Sequence, residues 1–325
     1  IQSIDSSVEY DTSSWNGTAS VPSDSAIPKT DLRNRFYNIA FKHKYYLNDL
    51  HLHYPLSTFA LATIFNSLST GQAKYEGSVN EIKLDDKISY MKNSFLRLGV
   101  SYQKFEQKEI TANTNKDFSA TSVFATNYNK LNLFSDLNTI ITESIRYDEY
   151  DNFNDSLTGK IGAKQFVYKD IYVSTNIGTG YNAPTLGQLY GQWGPNPDLK
   201  PEKSLTSDIT LGSDILWATY FYNETTDLIE YDTAYTQVSG TTTFTGVELG
   251  YEDFFFNSLG LSGLYTYVET KNADGEALRS RPKNQVDAKA TYYVTEDFDL
   301  GLNAQYIGTR YDEDNNKGAQ PGEYI

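Results

Sequence analysis

Residues 181–191 read YNAPTLGQLYG, and residues 196–204 continue as NPDLKPEKS. The whole stretch 181–204 holds four of the nine prolines of the chain. Strictly alternating segments flank it on both sides, at 171–178 and 205–212. A Pro- and Gly-rich connection of this length between two strands is normally either a liability or a functional loop, and the flanking strands favour the second interpretation. The sequence therefore predicts a long functional loop between two β-strands.

Alternation of apolar and polar residues with a period of two recurs from Tyr37 onward, for example at 96–103, 286–294 and 298–306. Alternation alone shows only that one strand face is apolar. Several segments, however, run for about nine or ten residues, the length that a tilted strand needs to cross a bilayer. The polar faces carry charged side chains, and the apolar faces end in Tyr or Phe, as in aromatic girdles. This pattern predicts an all-β fold: a transmembrane antiparallel β-barrel of roughly 14–16 strands in this chain.

The predicted connections alternate in length. Short ones at 168–170, 253–258 and 295–297 are interspersed with long ones at 179–203, 270–283 and 311–323. Outer-membrane barrels have short periplasmic turns and long extracellular loops. A secreted β-sandwich or adhesin domain, the alternative from a different class, gives no reason for this asymmetry.

The composition excludes several other functions. The 325 residues include 27 Tyr and no Cys, and the formal net charge is −15. The lack of Cys removes thiolate chemistry and Cys-based zinc sites, and an acidic chain lacks the basic surface that nucleic-acid binding requires. No apolar run is long enough for a membrane helix, and no G-x-S-x-G, H-E-x-x-H or phosphate-binding Gly loop is present. We therefore expect neither an enzyme nor a nucleic-acid-binding protein.

The stretch 181–204 resembles the TonB-dependent outer-membrane receptors. It is most similar to the branch that transports vitamin B12 (cobalamin). Its two parts are similar to that branch's Y-K-A-P-N-L-G-Q-L-Y-G and N-P-x-L-x-P-E-K-S. Further similar segments follow in the family's order: TDLIEYD at 226–232, GVE at 246–248 and QYIGTRYD at 305–312. The markers run from about Ser144 to Asp312, and before residue 140 the resemblance rests on strand pattern.

The resemblance implies a 22-stranded barrel whose lumen is filled by an N-terminal plug domain. Residues 1–325 would then form one incomplete barrel domain, without the plug, the first strands and the last strands. The implied function is high-affinity uptake of cobalamin or a related corrinoid across the bacterial outer membrane, energised by the TonB complex through the plug. Outer-membrane lipid and lipopolysaccharide would surround the barrel. A siderophore or haem receptor is the alternative within the same fold, because substrate choice lies in variable loops.

The resemblance also suggests binding residues. An Arg contact in the family points to Arg279 or Arg281, although an Arg-Pro-Lys strand entry occurs across the family whatever the cargo. Aromatic and polar residues suit a large amphipathic ligand, and we expect further contacts from loop residues Gln192, Trp193, Tyr235 and Asp314.

Calcium orders some extracellular loops in the cobalamin branch, and no other cofactor is expected. The oxygen ligands that calcium prefers point to Asp11, Asp24 and Asp31 in the polar stretch 10–31. A solvated acidic loop is the alternative for these three residues.

Overall fold

A computed structural model describes the chain except for residues 1, 9–12, 16–19, 23–29, 45–52, 70–73, 110–113, 135–136, 192–193, 314–316 and 325. Side chains are described from residue 76 onward, apart from those ranges and residues 109, 114, 134, 312–313 and 317. In this part of the chain no helix is long and apolar enough to cross a membrane.

Sixteen strands of the described chain form one antiparallel sheet in which sequence neighbours pair. They are β1 (Gln2–Val8), β4 (Thr30–Lys44), β5 (His53–Ser69), β6 (Lys74–Met91), β7 (Ser94–Glu109), β8 (Thr114–Phe134), β9 (Leu137–Tyr150), β10 (Ser156–Tyr168), β11 (Ile171–Asn182), β12 (Glu202–Gly212), β13 (Leu216–Thr226), β16 (Thr241–Phe255), β17 (Leu259–Lys271), β18 (Asn284–Tyr293), β19 (Asp299–Ile307) and β22 (Glu323–Tyr324). The predicted all-β fold and strand number are confirmed.

Among the described residues, three short hairpins and one helix lie in the connections. The hairpins pair β2 (Ser13–Trp15) with β3 (Ser20–Pro22), β14 (Ile229–Tyr231) with β15 (Tyr235–Gln237), and β20 (Arg310–Glu313) with β21 (Lys317–Gln320). The helix, α1, spans Leu186–Tyr190 and lies in the Pro- and Gly-rich stretch 181–204.

Connection length separates the two ends of the sheet. At one end β10 and β11 are joined by two residues, and Lys169 there adopts a left-handed φ of 47°. Asn93 does the same in the turn between β6 and β7, with a φ of 67°, which suits Asn in a tight turn. At the other end the connections after β11, β13, β17 and β19 are all long. We call these the short-turn end and the long-loop end.

Apolar side chains occupy one face of the sheet and remain exposed. Leu157, Ile161 and Leu302 are 67%, 59% and 70% exposed, although they lie inside regular strands. An apolar, exposed sheet face is normally costly in water, and a lipid-facing barrel wall accounts for it. The opposite face carries the polar residues of the alternation.

Acid–base and hydrogen-bonded pairs cover this polar face. The guanidinium of Arg97 on β7 donates to Asp85 on β6 at 2.7 Å, and the Asp85 side chain is only 3% exposed. On β8 and β9, Asp148 accepts from Ser122 at 2.6 Å and pairs with Arg146. A buried carboxylate is costly without such partners. Because the partners lie on neighbouring strands, these contacts hold β6 to β7 and β8 to β9 on the polar face.

Two glycines on β16 let aromatic rings approach the strand closely on the polar face. Trp217 and Phe221 on β13 pair in register with Gly250 and Gly246. A Cβ at Gly250 would lie 2.0 Å from the Trp217 ring, and one at Gly246 would lie 2.2 Å from the carbonyl oxygen of Tyr267. Gly is therefore required at both positions.

Candidate ligand-binding end of the barrel

The buried apolar side chains lie mostly at the long-loop end. Leu186, Leu189, Leu199 and Leu278 belong to the long connections and are 3–6% exposed. Through most of the wall the apolar residues point outward, so this end carries the packed loop core of the described chain. A packed loop layer on a rigid scaffold is a usual place for a binding site.

The helix α1 begins with a capping box. Thr185 accepts from the backbone of Gln188, and the Gln188 side chain accepts from the backbone of Thr185. The reciprocal bonds satisfy backbone donors at the first turn, which explains why five residues hold a helix inside a loop. The signal T-x-x-Q was readable in the sequence, but no periodic segment follows it.

Although α1 lies between β11 and β12 in the chain, it contacts β7 and β8. Its buried residues are Leu186 and Leu189. Lys116 of β8 places its ammonium 4.8 Å from the centre of the Tyr190 ring, a cation–π contact. The loop 183–201 therefore crosses the ends of β9 and β10 and covers part of the polar face.

The same loop is joined to the β14–β15 hairpin by backbone and amide hydrogen bonds. Tyr235 donates its backbone N–H to Gly194, and Asn196 returns a side-chain donor to the Tyr235 carbonyl, at 2.8 and 3.0 Å. Gln237 bonds both backbone groups of Lys200. Gly194 has a φ of +54°, and a Cβ there would lie 2.4 Å from the backbone of Ala234, so the close approach requires glycine.

The hairpin is joined in turn to the connection 272–283. Arg279 donates to the Tyr231 carbonyl and pairs with Asp232 at 3.1 Å, and its side chain is 19% exposed. One residue later, Ser280 donates its backbone N–H to Tyr311 of the next long connection, at 2.6 Å. The long connections after β11, β13, β17 and β19 thus form one hydrogen-bonded series.

The two arginines that the resemblance suggested, Arg279 and Arg281, differ in their contacts. Arg279 is occupied by the hairpin, whereas Arg281 is exposed and makes no ion pair or hydrogen bond within the described part of the chain. Tyr235 is half-buried, and its ring lies 4.8 Å from that of Tyr231. These three residues lie at the long-loop end, and their role as ligand contacts stays a prediction.

The other suggested residues are not described. Gln192, Trp193, Asp314, Asp11 and Asp24 lie outside the described residues, and for Asp31 only the backbone is described, within β4. No group of three or more His, Cys, Asp or Glu residues suited to a metal ion occurs among the described residues. The calcium site therefore stays a prediction.

Sequence reasoning missed an aromatic group on the polar face at this end. Phe105 and Phe118 stack with ring centres 4.6 Å apart, and Phe153 meets Phe118 edge-on at 5.4 Å. A signal was available, because Phe105 and Phe118 stand at positions that alternation assigns to the polar face.

A sixteen-stranded antiparallel sheet with an apolar exposed face, a polar opposite face and long loops at one end defines the wall of an outer-membrane β-barrel. The family described as TonB dependent receptor-like, beta-barrel, matches residues 3–324. The chain belongs to this family, which consists of bacterial outer-membrane receptors and transporters rather than enzymes.

Solved structures with the same fold include the ferric enterobactin receptor PfeA of Pseudomonas aeruginosa in complex with enterobactin, at 16% identity and a TM-score of 0.68. That match covers 91% of this chain and 54% of the receptor. The ferric-catecholate import receptor Fiu of E. coli K12 matches at 15% identity, with coverages of 91% and 57% and a TM-score of 0.66. The copper transporter OprC matches at 12% identity, with coverages of 92% and 57% and a TM-score of 0.68.

The chain thus spans little more than half the length of these solved proteins. Their names refer to siderophores and copper, and none of them refers to cobalamin. The interpretation of residues 1–325 as one incomplete barrel domain stays a prediction.

The two arginines give a matched pair of variants. We expect Arg279→Ala to release the connection 272–283 from the β14–β15 hairpin, because it removes an exposed ion pair and a charged hydrogen bond worth together about 1–2 kcal/mol. Cleavage after Glu276 by a Glu-specific protease should then be roughly five- to thirtyfold faster, in line with that free energy. Arg281→Ala should leave cleavage unchanged. Equal cleavage of the two variants would contradict the role assigned to Arg279.

Proposed function

We propose that the chain is the barrel wall of an outer-membrane receptor that captures a small nutrient at its long-loop end and imports it with energy supplied through TonB. The observation that carries this proposal is the series of long connections packed over a polar-lined wall. Loops on a rigid barrel can be varied for binding without loss of the fold. The polar wall faces the lumen, where a plug domain would couple the receptor to TonB.

As cargo we propose cobalamin or a related corrinoid. The support is the run of segments similar to the cobalamin branch, from the stretch at 181–204 to QYIGTRYD at 305–312. Arg281 is the best-placed contact among the described residues, because its guanidinium is exposed and unpaired there. Tyr235, Gln192, Trp193 and Asp314 complete the proposed ligand contacts, and the Arg279 side chain acts by holding its loop in place.

A ferric siderophore is the second candidate. It is favoured by the structural similarity to the enterobactin and catecholate receptors, although at 15–16% identity such similarity supports the fold and not the cargo. Haem is a further outcome that the same experiment distinguishes.

The experiment is a titration of the purified full-length protein, followed by intrinsic Trp and Tyr fluorescence. Cyanocobalamin, a ferric catecholate siderophore and haem are compared, each with added calcium and with a calcium chelator. We expect cyanocobalamin to bind at or below micromolar concentration, and calcium to tighten binding if Asp11, Asp24 and Asp31 hold the ion. Arg281→Ala should weaken binding by about tenfold, the usual effect of one charged hydrogen bond.

Two results would decide against parts of the proposal. Binding of the siderophore alone would replace cobalamin as the cargo. A folded protein that binds none of the three ligands would overturn the receptor function proposed for this end of the barrel.

A further inference from the structure

A carboxylate lies on the face of the sheet that mostly exposes apolar side chains. Glu143 is on the same side of β9 as Ile145, which is 53% exposed. In the pairing with β10 it lies opposite Ile161, another residue of the exposed apolar face. An ionised side chain at a lipid-facing position is costly, and such residues are rare and usually functional. The position of Glu143 therefore calls for a partner that compensates its charge.

Three polar side chains connect this carboxylate to the short-turn end. Asn127 of β8, the register partner of Glu143, donates its side-chain amide to the carboxylate at 2.8 Å. The Tyr90 hydroxyl lies 2.7 Å from the side-chain oxygen of Asn127 and 2.6 Å from that of Asn129. Tyr90 is the next-to-last residue of β6, beside the tight turn to β7. The network therefore runs from the short-turn end to the middle of β9.

The network lacks hydrogen-bond donors and positive charge. A tyrosine hydroxyl has one proton, so Tyr90 cannot satisfy the side-chain oxygens of both Asn127 and Asn129. Glu143 accepts from Asn127 but forms no ion pair with any side chain that the structure describes. On the polar face, by contrast, the carboxylates of Asp85 and Asp148 each pair with an arginine. The network is therefore suited to a cationic group with several N–H donors.

The location of the network in the membrane indicates which cation this is. In outer-membrane barrels the short turns are periplasmic, and the periplasmic leaflet consists of phospholipids, whereas lipopolysaccharide forms the outer leaflet. A phospholipid with an ethanolamine headgroup carries a primary ammonium, which has three N–H donors as in lysine. A second copy of the chain is a poorer occupant, because a two-fold contact would place the same surface, and so two Glu143 carboxylates, face to face.

We propose that Tyr90, Asn127, Asn129 and Glu143 form a site on the outside of the barrel for the ammonium of phosphatidylethanolamine from the periplasmic leaflet. The ammonium pairs with the Glu143 carboxylate and donates to the asparagine oxygen that the Tyr90 hydroxyl leaves without a proton. The acyl chains lie along the exposed apolar side chains beside the network. The site binds a membrane lipid and not the cargo, so it is independent of the proposed receptor function.

The test is native mass spectrometry of the full-length protein released from nanodiscs that contain phosphatidylethanolamine and phosphatidylcholine in equal amounts. The two lipids have the same net charge and the same acyl chains, but the choline headgroup has no N–H donor. We expect a bound phosphatidylethanolamine, preferred over phosphatidylcholine by about tenfold, in line with one hydrogen bond between charged groups. Equal retention of the two lipids would overturn the proposal.

Variants on the exposed face locate the site. Glu143→Gln keeps the size of the side chain but removes its charge, and it should abolish the preference for phosphatidylethanolamine. Asn129→Leu removes one acceptor and should lower the preference roughly threefold. Glu149→Gln is the matched control, since Glu149 lies on the same side of β9 but farther toward the long-loop end; it should retain the preference. Heat-modifiable migration on gels shows that each variant is folded. An unchanged preference in Glu143→Gln would overturn the assignment.

Two further outcomes separate the lipid site from the other proposals. If the wild type leaves the nanodiscs as a dimer without retained lipid, and Glu143→Gln leaves them as a monomer, a second copy covers the network and the lipid site is refuted. If phosphatidylethanolamine is retained through Glu143 while none of the tested nutrients binds, the lipid site stands and the receptor function is refuted.

Discussion

Replacing Gly250 with Ala is expected to lower the free energy of unfolding of the barrel by about 1–3 kcal/mol, the usual cost of overpacking. The new Cβ would lie 2.0 Å from the Trp217 ring, and the ring cannot keep its place. Gly246→Ala adds a second clash, 2.2 Å from the carbonyl oxygen of Tyr267 and 2.5 Å from the Phe221 ring. A backbone atom gives way less readily than a side chain, so the double variant should lose most of its folded population.

The measurement is the temperature at which the full-length protein loses its compact band on gels, together with urea unfolding in lipid vesicles. Gly301→Ala is the matched control, because a Cβ on that strand residue meets nothing within 4 Å. It should be neutral or slightly stabilising, since Ala restricts the unfolded chain more than Gly does. Equal stability of Gly246→Ala, Gly250→Ala and Gly301→Ala would contradict this prediction. It would mean that the Trp217 and Phe221 rings do not pack against the two glycines of β16.

The fold was predictable because alternation in a membrane strand is a local signal. The segments at 171–178 and 205–212 proved to be the first eight residues of β11 and the last eight residues of β12. Their ends were less predictable, because β11 continues to Asn182 and β12 begins at Glu202. These extensions depend on pairing with each other across the long loop, in a register from Tyr172–Gly212 to Asn182–Glu202, and no single segment contains that information.

The candidate site was predictable only in part. The sequence placed Arg279 and Arg281 in a long connection, but it could not distinguish them. The distinction arises from Asp232 and the Tyr231 carbonyl, which lie almost fifty residues earlier in the chain and approach Arg279 only through the β14–β15 hairpin. Contacts between loops follow from the order of the strands, so they are unreadable until the sheet is known.

The position of the helix α1 was likewise not predictable from the sequence alone. Thr185 and Gln188 form a capping box that can be read locally, yet five residues are too few for a periodic signal. Its position against β7 and β8 requires the loop to pass over β9 and β10. The contact of Lys116 with the Tyr190 ring could not be inferred without that crossing.

The second prediction with a large expected effect concerns transport of the cargo into the cell. Barrels of 22 strands enclose a lumen that must be plugged, and a plugged lumen does not conduct until the plug is moved. We therefore expect uptake of the cargo by the intact protein to depend on TonB, while binding at the outer surface does not. Removal of TonB should reduce accumulation inside the cell to background and leave surface binding unchanged.

The most direct test is uptake of labelled cyanocobalamin by cells whose only cobalamin receptor is the full-length protein. A strain that lacks TonB and a strain without the receptor are compared with it. We expect accumulation only when both proteins are present, with surface-bound label retained in the strain without TonB. Accumulation that is equal with and without TonB would contradict this expectation, as would a folded receptor at the cell surface that imports neither cyanocobalamin nor a ferric siderophore.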